Sequence, residues 1–450
     1  MRRKHLLLLA VAAVALVAAA AFARTTAPEI EKQLQQLAVN RDGWPGFDPL
    51  RIPLAVYDGA KTYLFRHPSP GPDFTRLDPG THVMSGRHPA VNSNTSAEIG
   101  GVATATLMAD GKKGDQPADE LAAVALHESF HVYQRAHHKG WSGNEGDMLL
   151  YPFDHAATLA LRRMETEALR RALATKSKAE TECWARRALS LRYTRFAGMD
   201  SAYSRYERLT ELNEGLATYV ELYALWRKPE FPKDEFAAEA IRQRVYTVGP
   251  AWAYLLDLFY SEWKQALEKN DRQSLDGMLA ESLGSDDRTG GCDFTREEKF
   301  AFTARAQKDA GAVIAKRKER REKFDARDGW RIVVESSAKH LLWPNGFDPL
   351  NVELVDGGLL HTRFASLKND DGSVEVLDGE GADITMFTSG PGPHPLFNGV
   401  SRAEIIVAAK PHVNIWGEHR VEVKAPGVKV RLEHADVHEK ERAVIVRLGH

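Results

Sequence analysis

The residues best suited to chemistry in this chain are His127-Glu128-Ser129-Phe130-His131. Two histidines four apart on a helix lie about 40° apart around its axis, so both imidazoles can reach one ion from the same side. Glu128 falls on the adjacent face, where it can hold a metal-bound water instead of ligating. Zinc at such a pair lowers the pKa of its water and polarises a carbonyl, while the glutamate takes and returns a proton. A pair of core histidines with no ion between them is the plain alternative. Asp115 and Pro117 are expected to open the helix at N-cap and first-turn positions, and Leu121, Val124, Ala125 and Val132 continue it. The segment is apolar nearly all round, as befits a helix buried at an active site.

A zinc ion needs further ligands. The chain has two cysteines, Cys183 and Cys292, too few for a thiolate site, so the ligands must be histidines and carboxylates. His137 stands ten residues after His127, the spacing at which metzincins place a third histidine. Those enzymes turn the chain with a glycine, whereas this chain has Gln134-Arg135-Ala136. On a continuing helix His137 sits about 240° round from His131 and faces away, as part of a surface His137-His138 pair at the helix end. The second candidate is Glu211-Leu212-Asn213-Glu214-Gly215-Leu216-Ala217-Thr218-Tyr219-Val220-Glu221. There Leu212, Leu216, Tyr219 and Tyr223 form one helical stripe, and Glu214, Ala217, Thr218 and Glu221 form the opposite face. A carboxylate among small residues suits an ion that must be approached closely; a solvated acidic face fits the same pattern.

Taken together, His127-Glu128-x-x-His131 and Asn213-Glu214-Gly215-Leu216-Ala217 with Tyr219 resemble the gluzincin metallopeptidases over roughly residues 95–262. The resemblance implies Zn2+ held by His127, His131 and Glu214, with Glu128 as general base and a peptide or protein as substrate. One departure is the 82 residues between His131 and Glu214, more than thermolysin-like and aminopeptidase members have. An inserted helical hairpin or lid at about 150–198, with Tyr151-Pro152-Phe153 and two amphipathic helices, is expected to account for them. Gluzincin-like folds pair substrate with an edge strand before the zinc helix. Here Asn94–Met108 reads as a strand with Ile99-Gly100-Gly101 at one end, which makes Gly100 and Gly101 candidate substrate-binding positions. A strand with only a structural role is equally consistent. The family also uses a tyrosine or histidine to stabilise the oxyanion, and Tyr246, ahead of Gly249-Pro250 and a helix over Ala251–Tyr260, is the candidate. Its alternative is a core tyrosine.

The elements that must position these residues can be read more coarsely. With 450 residues, two or three domains are expected. Arg2-Arg3-Lys4, the apolar run Leu6 to Ala20 and Ala21-Phe22-Ala23 make residues 1–23 a signal peptide cleaved after Ala23. Cleavage takes the formal charge from −2 to −5, and neither value points to nucleic acid. The mature chain is therefore expected to be secreted or periplasmic, without stable membrane association. In that compartment Cys183 and Cys292 can form a disulfide, though two buried thiols are also consistent. Glu29 to Val39 reads as a helix, and Ile52, Leu54, Val56, Tyr63 and Phe65 alternate as strands do. The words Trp44-Pro45-Gly46-Phe47-Asp48-Pro49-Leu50 return as Trp343-Pro344-Asn345-Gly346-Phe347-Asp348-Pro349-Leu350, a shared strand-opening motif or an old duplication. Helix formers dominate from Asp119 to about Ala326, closing with a solvated helix over Phe294–Lys323. Beyond a boundary near Asp328, short Val/Ile/Leu runs separated by turn residues predict a β-sandwich-like module over 328–450. The expected class is α+β: a catalytic domain over 24–327 with a small edge-stranded sheet and a large helical body, then the all-β module. Two readings compete with peptidase: a non-peptidase zinc hydrolase, and a non-catalytic cell-envelope binding protein with a structural zinc site.

Overall fold

The computed structural model describes residues 24–39, 43–284, 291–377, 385–417 and 419–449. The leader expected over 1–23 lies outside the described residues. The structure is 43% helix and 25% strand, an α+β arrangement with a helical body and a C-terminal all-β region. Two compact units are distinguished. The first takes the described residues through Ala136 together with Val220–Arg227; the second takes His137–Tyr219 and the described residues from Lys228 onward.

In the first unit, α1 (Ala27–Val39) buries Ala27, Ile30 and Leu34, a helical spacing. Six strands follow: β1 (Leu54–Tyr57), β2 (Lys61–Phe65), β3 (Thr75–Asp78), β4 (Thr81–Ser85), β5 (Thr95–Ile99) and β6 (Val102–Met108). They form one sheet in the order β3-β4-β2-β1-β6-β5. The apolar β1 and β6 lie in the middle and run parallel, with Leu54 opposite Ala105, and β5 is an edge. The single strand expected over Asn94–Met108 is thus corrected to a hairpin. Gly100 and Gly101 are its two-residue turn, at φ +54 and +77, a left-handed conformation that side chains resist.

After β6, α2 (Ala118–His137) carries the histidine pair. Asp115 does not cap it but ends a separate 3-10 turn, Gly111–Asp115. Asp119 and Glu120 instead supply negative charge in the first turn, where the helix dipole favours it. The first Trp-Pro-Gly-Phe motif braces this helix. Trp44 and Phe47 stand edge-on to Phe130 at 5.2 and 5.1 Å, and the Tyr133 hydroxyl donates to the carbonyl of Pro45 at 3.2 Å. The second copy, Trp343–Phe347, is a strand; both copies then make a 3-10 turn, Pro49–Arg51 and Pro349–Asn351.

The second unit contains α3 (Glu145–Leu149), α4 (Ala156–Ala174), α5 (Lys178–Ala197), α6 (Ser201–Thr210), a π-helical turn Glu211–Gly215, the start of α7 (Leu216–Ala224), α8 (Ile241–Phe259), α9 (Trp263–Lys269), α10 (Leu275–Leu283) and α11 (Arg296–Asp325). The division between units runs through α2 and α7 themselves. α4 and α5 make a helical hairpin within residues 150–198. Cys183 of α5 is disulfide-bonded to Cys292, with Cα atoms 5.7 Å apart. Among the helices lies a fully buried ionic network. Arg192 donates to both oxygens of Glu211 at 2.9 and 2.6 Å and to Glu165 at 3.0 Å; Arg195 and Arg244 each reach Glu165 at 2.7 Å. Such a network adds little net stability over an apolar core, but removing one member strands a buried charge, so it specifies one arrangement of α4, α5, α8 and the π turn. After α11, strands from Trp330 to Leu448 form a seven-stranded and a six-stranded sheet. Ile332 and Val334 of one sheet share an apolar core with Leu367 and Val374 of the other, so the region is a β-sandwich.

Candidate metal centre

α2 places His127 and His131 one turn apart, both nearly buried at 8% and 7% exposure. Their Nε2 atoms face each other at 3.1 Å. The Nδ1 atom of His127 lies 3.0 Å from Oε2 of Glu221, and that of His131 lies 2.8 Å from Oε1 of Gln134. Carboxylate and amide oxygens only accept, so both Nδ1 atoms carry a proton and donate it. Both Nε2 atoms then turn lone pairs toward one point, which is repulsive unless a cation is shared. Two nitrogens each about 2.0–2.1 Å from a tetrahedral ion sit about 3.3 Å apart, close to the observed separation.

A shared proton would also satisfy two nitrogens, but it has no use for a third donor. One ligand atom from each of His127, His131 and Glu214 lies within 4.8 Å of the others, all three residues being buried. The group could hold a metal ion, and the donor set of two imidazoles and a carboxylate is of the kind that does.

Glu214 owes its position to two irregularities. It lies in the π-helical turn, whose extra residue re-phases the side chains on either side of it. Beside it, Gly215 meets Gly249 of α8 so closely that a Cβ on Gly249 would stand 2.5 Å from the Cα of Gly215. Only two glycines permit that crossing, which brings α8 onto the carboxylate. The Tyr246 hydroxyl donates to Oε2 of Glu214 at 2.9 Å, and Arg242 donates to Oε1 at 2.8 Å. Burial first, then the Glu214 carboxylate, pushes the Tyr246 hydroxyl above its ordinary pKa, so it remains a donor. For Arg242 burial opposes the charge, but Glu145 and Glu214 outweigh it and hold the guanidinium above its usual value.

The structure brings His127, His131, Glu214 and Tyr246 together and keeps Glu128, 7% exposed, one residue from His127. The helix expected from Ala251 in fact begins at Ile241 and takes Gly249-Pro250 into its interior. Tyr246 is therefore a helical residue, aligned by the Gly215–Gly249 crossing. Gly100 and Gly101 form the turn between β5 and β6, where a Cβ on Gly100 would meet the Ser69 carbonyl at 2.3 Å. His137 is exposed at the end of α2. His138 is not on the surface as expected: it is 6% exposed, lies 3.0 Å from Glu268 and stacks on Trp141 at 3.8 Å. Sequence reasoning missed Gln134 as the partner of His131, although three residues on a helix is a readable spacing. It also missed Arg242, for which no local signal exists. No protein-family model, curated protein or solved structure matches this chain.

Proposed function

We propose that this chain is a zinc-dependent peptidase of the gluzincin type that works outside the cytoplasm. The observation that carries the reading is the pair of facing Nε2 atoms of His127 and His131, each ring oriented through its Nδ1, with Glu214 completing the donor group. Two imidazoles and one carboxylate suit zinc better than the oxygen-seeking magnesium or calcium. When bound, zinc would supply an acidified water and a polarised scissile carbonyl. Glu128 accepts the proton of the attacking water and delivers it to the leaving amine. Tyr246, on turning its hydroxyl away from Glu214, offers it to the oxyanion that develops on the carbonyl. Glu221 and Gln134 keep the imidazoles in the Nδ1-protonated tautomer, and Arg242 orients the Glu214 carboxylate. β5, an edge strand, can pair with an extended peptide. Among the described residues no helix is long and apolar enough to cross a membrane. With the Cys183–Cys292 disulfide and the expected leader, this supports a secreted or periplasmic enzyme.

The test compares wild type and Glu128→Gln on an unbiased peptide mixture at neutral pH, with zinc content measured on both. The variant is expected to keep one zinc per chain and to lose about 10²–10⁴-fold in turnover. A fully loaded wild type that cuts no peptide would return the site to a structural role or a non-peptidase hydrolase. A variant that cuts as fast as wild type would remove Glu128 from the mechanism.

A further inference from the structure

Helices of the second unit and the segment ahead of α8 line a half-open cavity of about 410 Å³ in which the metal ligands take no part. One wall is a face of α4 bearing Arg162, Arg163 and Arg170; Phe231 and Phe236, from the segment ahead of α8, and Phe302 of α11 supply apolar surface. Its size falls in the range of small-molecule sites and would otherwise take about a dozen waters.

Arg162 is the residue that demands an explanation. It is 2% exposed, and its Nη2 donates to the carbonyls of Ala237 at 3.2 Å and Ala238 at 2.7 Å. Among the described residues no carboxylate comes within ion-pairing distance of it. Burial lowers its pKa to about 10, and the Glu207 carboxylate offsets this only in part. A buried guanidinium with no carboxylate in direct contact is costly, and a structure keeps one when something else helps to neutralise it. Arg163, 6% exposed, repeats the pattern in part. Its Nε lies 2.8 Å from Glu235 and its Nη2 pairs with Asp309, but its buried Nη1 has no hydrogen-bond partner. Of the acids that line the cavity, Glu167 accepts from Arg170 and Arg171, Glu235 accepts from Arg305, and Asp234 is exposed to solvent. Arg244, also on the wall, is satisfied by Thr166 and Glu165 at 2.8 and 2.7 Å.

We propose that this cavity is a binding site for a small anionic molecule, whose carboxylate or phosphate takes the donors of Arg162 and Arg163 and whose apolar body lies against Phe231, Phe236 and Phe302. The planar donor fork of arginine matches both oxyanions. Bound there, the ligand touches α4, α11 and the segment between α7 and α8 at once and ties them together.

Three probes separate the sources of charge: inorganic phosphate, phenyl phosphate and benzoate, titrated calorimetrically into the full mature chain in about 0.15 M chloride, which screens loose surface binding. Saturable one-to-one binding of phenyl phosphate or benzoate is expected, and which of them binds tells phosphate from carboxylate. Arg162→Gln, which removes the guanidinium, and Arg163→Gln should each weaken binding by about 30-fold or more. Phe236→Ala should weaken the two aromatic probes and spare inorganic phosphate. If circular dichroism shows that Arg162→Gln does not fold, Arg163→Gln decides alone, because it leaves the Arg162 bonds to Ala237 and Ala238 in place. Absence of saturable binding by all three probes at millimolar concentration overturns the proposal. So does binding that both arginine variants leave unchanged, as attachment at the metal centre or the surface would.

Discussion

Replacing Glu221 by alanine is expected to weaken zinc binding while leaving the fold in place. The carboxylate lies 3.0 Å from Nδ1 of His127 and is the acceptor that holds the proton on Nδ1 and turns Nε2 toward His131. Loss of such an outer partner costs about 10–100-fold in metal affinity, or about 1.4–2.7 kcal/mol. The pair is unevenly shielded, His127 being 10% and Glu221 25% exposed at the side chain. Solvent therefore takes back part of the charge-assisted bond, and the lower half of the range, about 10–30-fold, is expected. Glu221→Gln keeps an acceptor oxygen and loses only the charge, so its effect should stay below about tenfold. Gln134→Ala, which removes a buried neutral acceptor from His131, should fall between the two. The assay is competition against a chelator of known zinc affinity at constant pH, paired with urea unfolding of the metal-free proteins. There Glu221→Ala should cost only about 1 kcal/mol. Unchanged zinc affinity in Glu221→Ala would refute the tautomer argument and, with it, the reason for reading the facing nitrogens as ligands.

Three further outcomes follow from the same geometry. Glu214→Ala should reduce zinc well below one per chain by elemental analysis, whereas His137→Ala should keep both metal and activity; the opposite pattern would replace the carboxylate with a third histidine. Cys183→Ala with Cys292→Ala should lower unfolding stability by up to about 5 kcal/mol, because the disulfide closes a separation of 109 residues; a melting temperature unmoved by the pair of changes would contradict that. Stability should also collapse in acid. Burial works against ionisation of Glu165, Glu207 and Asp276, but the surrounding arginines outweigh it and hold all three below their ordinary values of 4.5 and 3.8. Their contribution is complete above pH 4.5 and is lost as pH falls below it, at up to about 4 kcal/mol per pH unit for three groups. Glu211 acts in the other direction, since burial raises it to about 7 despite Arg192. Its proton uptake adds stability as pH drops from 7 toward 4.5, so urea midpoints should peak near pH 5 and fall steeply by pH 3. A flat profile between pH 5 and 3 would show that the network carries no such linkage.

Much of the fold was legible in the chain because it depends on near neighbours. The three- and four-residue spacing of Leu159, Leu169 and their neighbours gives α4, and the turn residues after Asp328 punctuate the strands of the sandwich. His127 and His131 on one helix needed only the α-helical repeat, and the continuation of α2 past Gln134 followed from the absence of a glycine there. Errors arose where a single local word had two meanings. Asn94–Met108 reads as one alternating strand, but Gly100-Gly101 turns the chain inside it and β5 pairs with β6. Gly249-Pro250 reads as a helix start, but α8 runs through it because Gly249 is needed small against Gly215.

What the sequence determined by itself was the local chemistry: two imidazoles one turn apart, a glutamate between them, an acidic helix downstream and a β-rich end. Tertiary structure decided which groups share that chemistry. Glu214 and Glu221 read as one face of one helix, yet the first joins the ligand group and the second orients His127. Arg242 and Tyr246 meet Glu214 through contacts between elements that no residue spacing encodes. The physical reason lies in what sets each distance. Along one helix the backbone repeat dictates it, whereas between the π turn and α8 it depends on how side chains and two glycines let the chain pack.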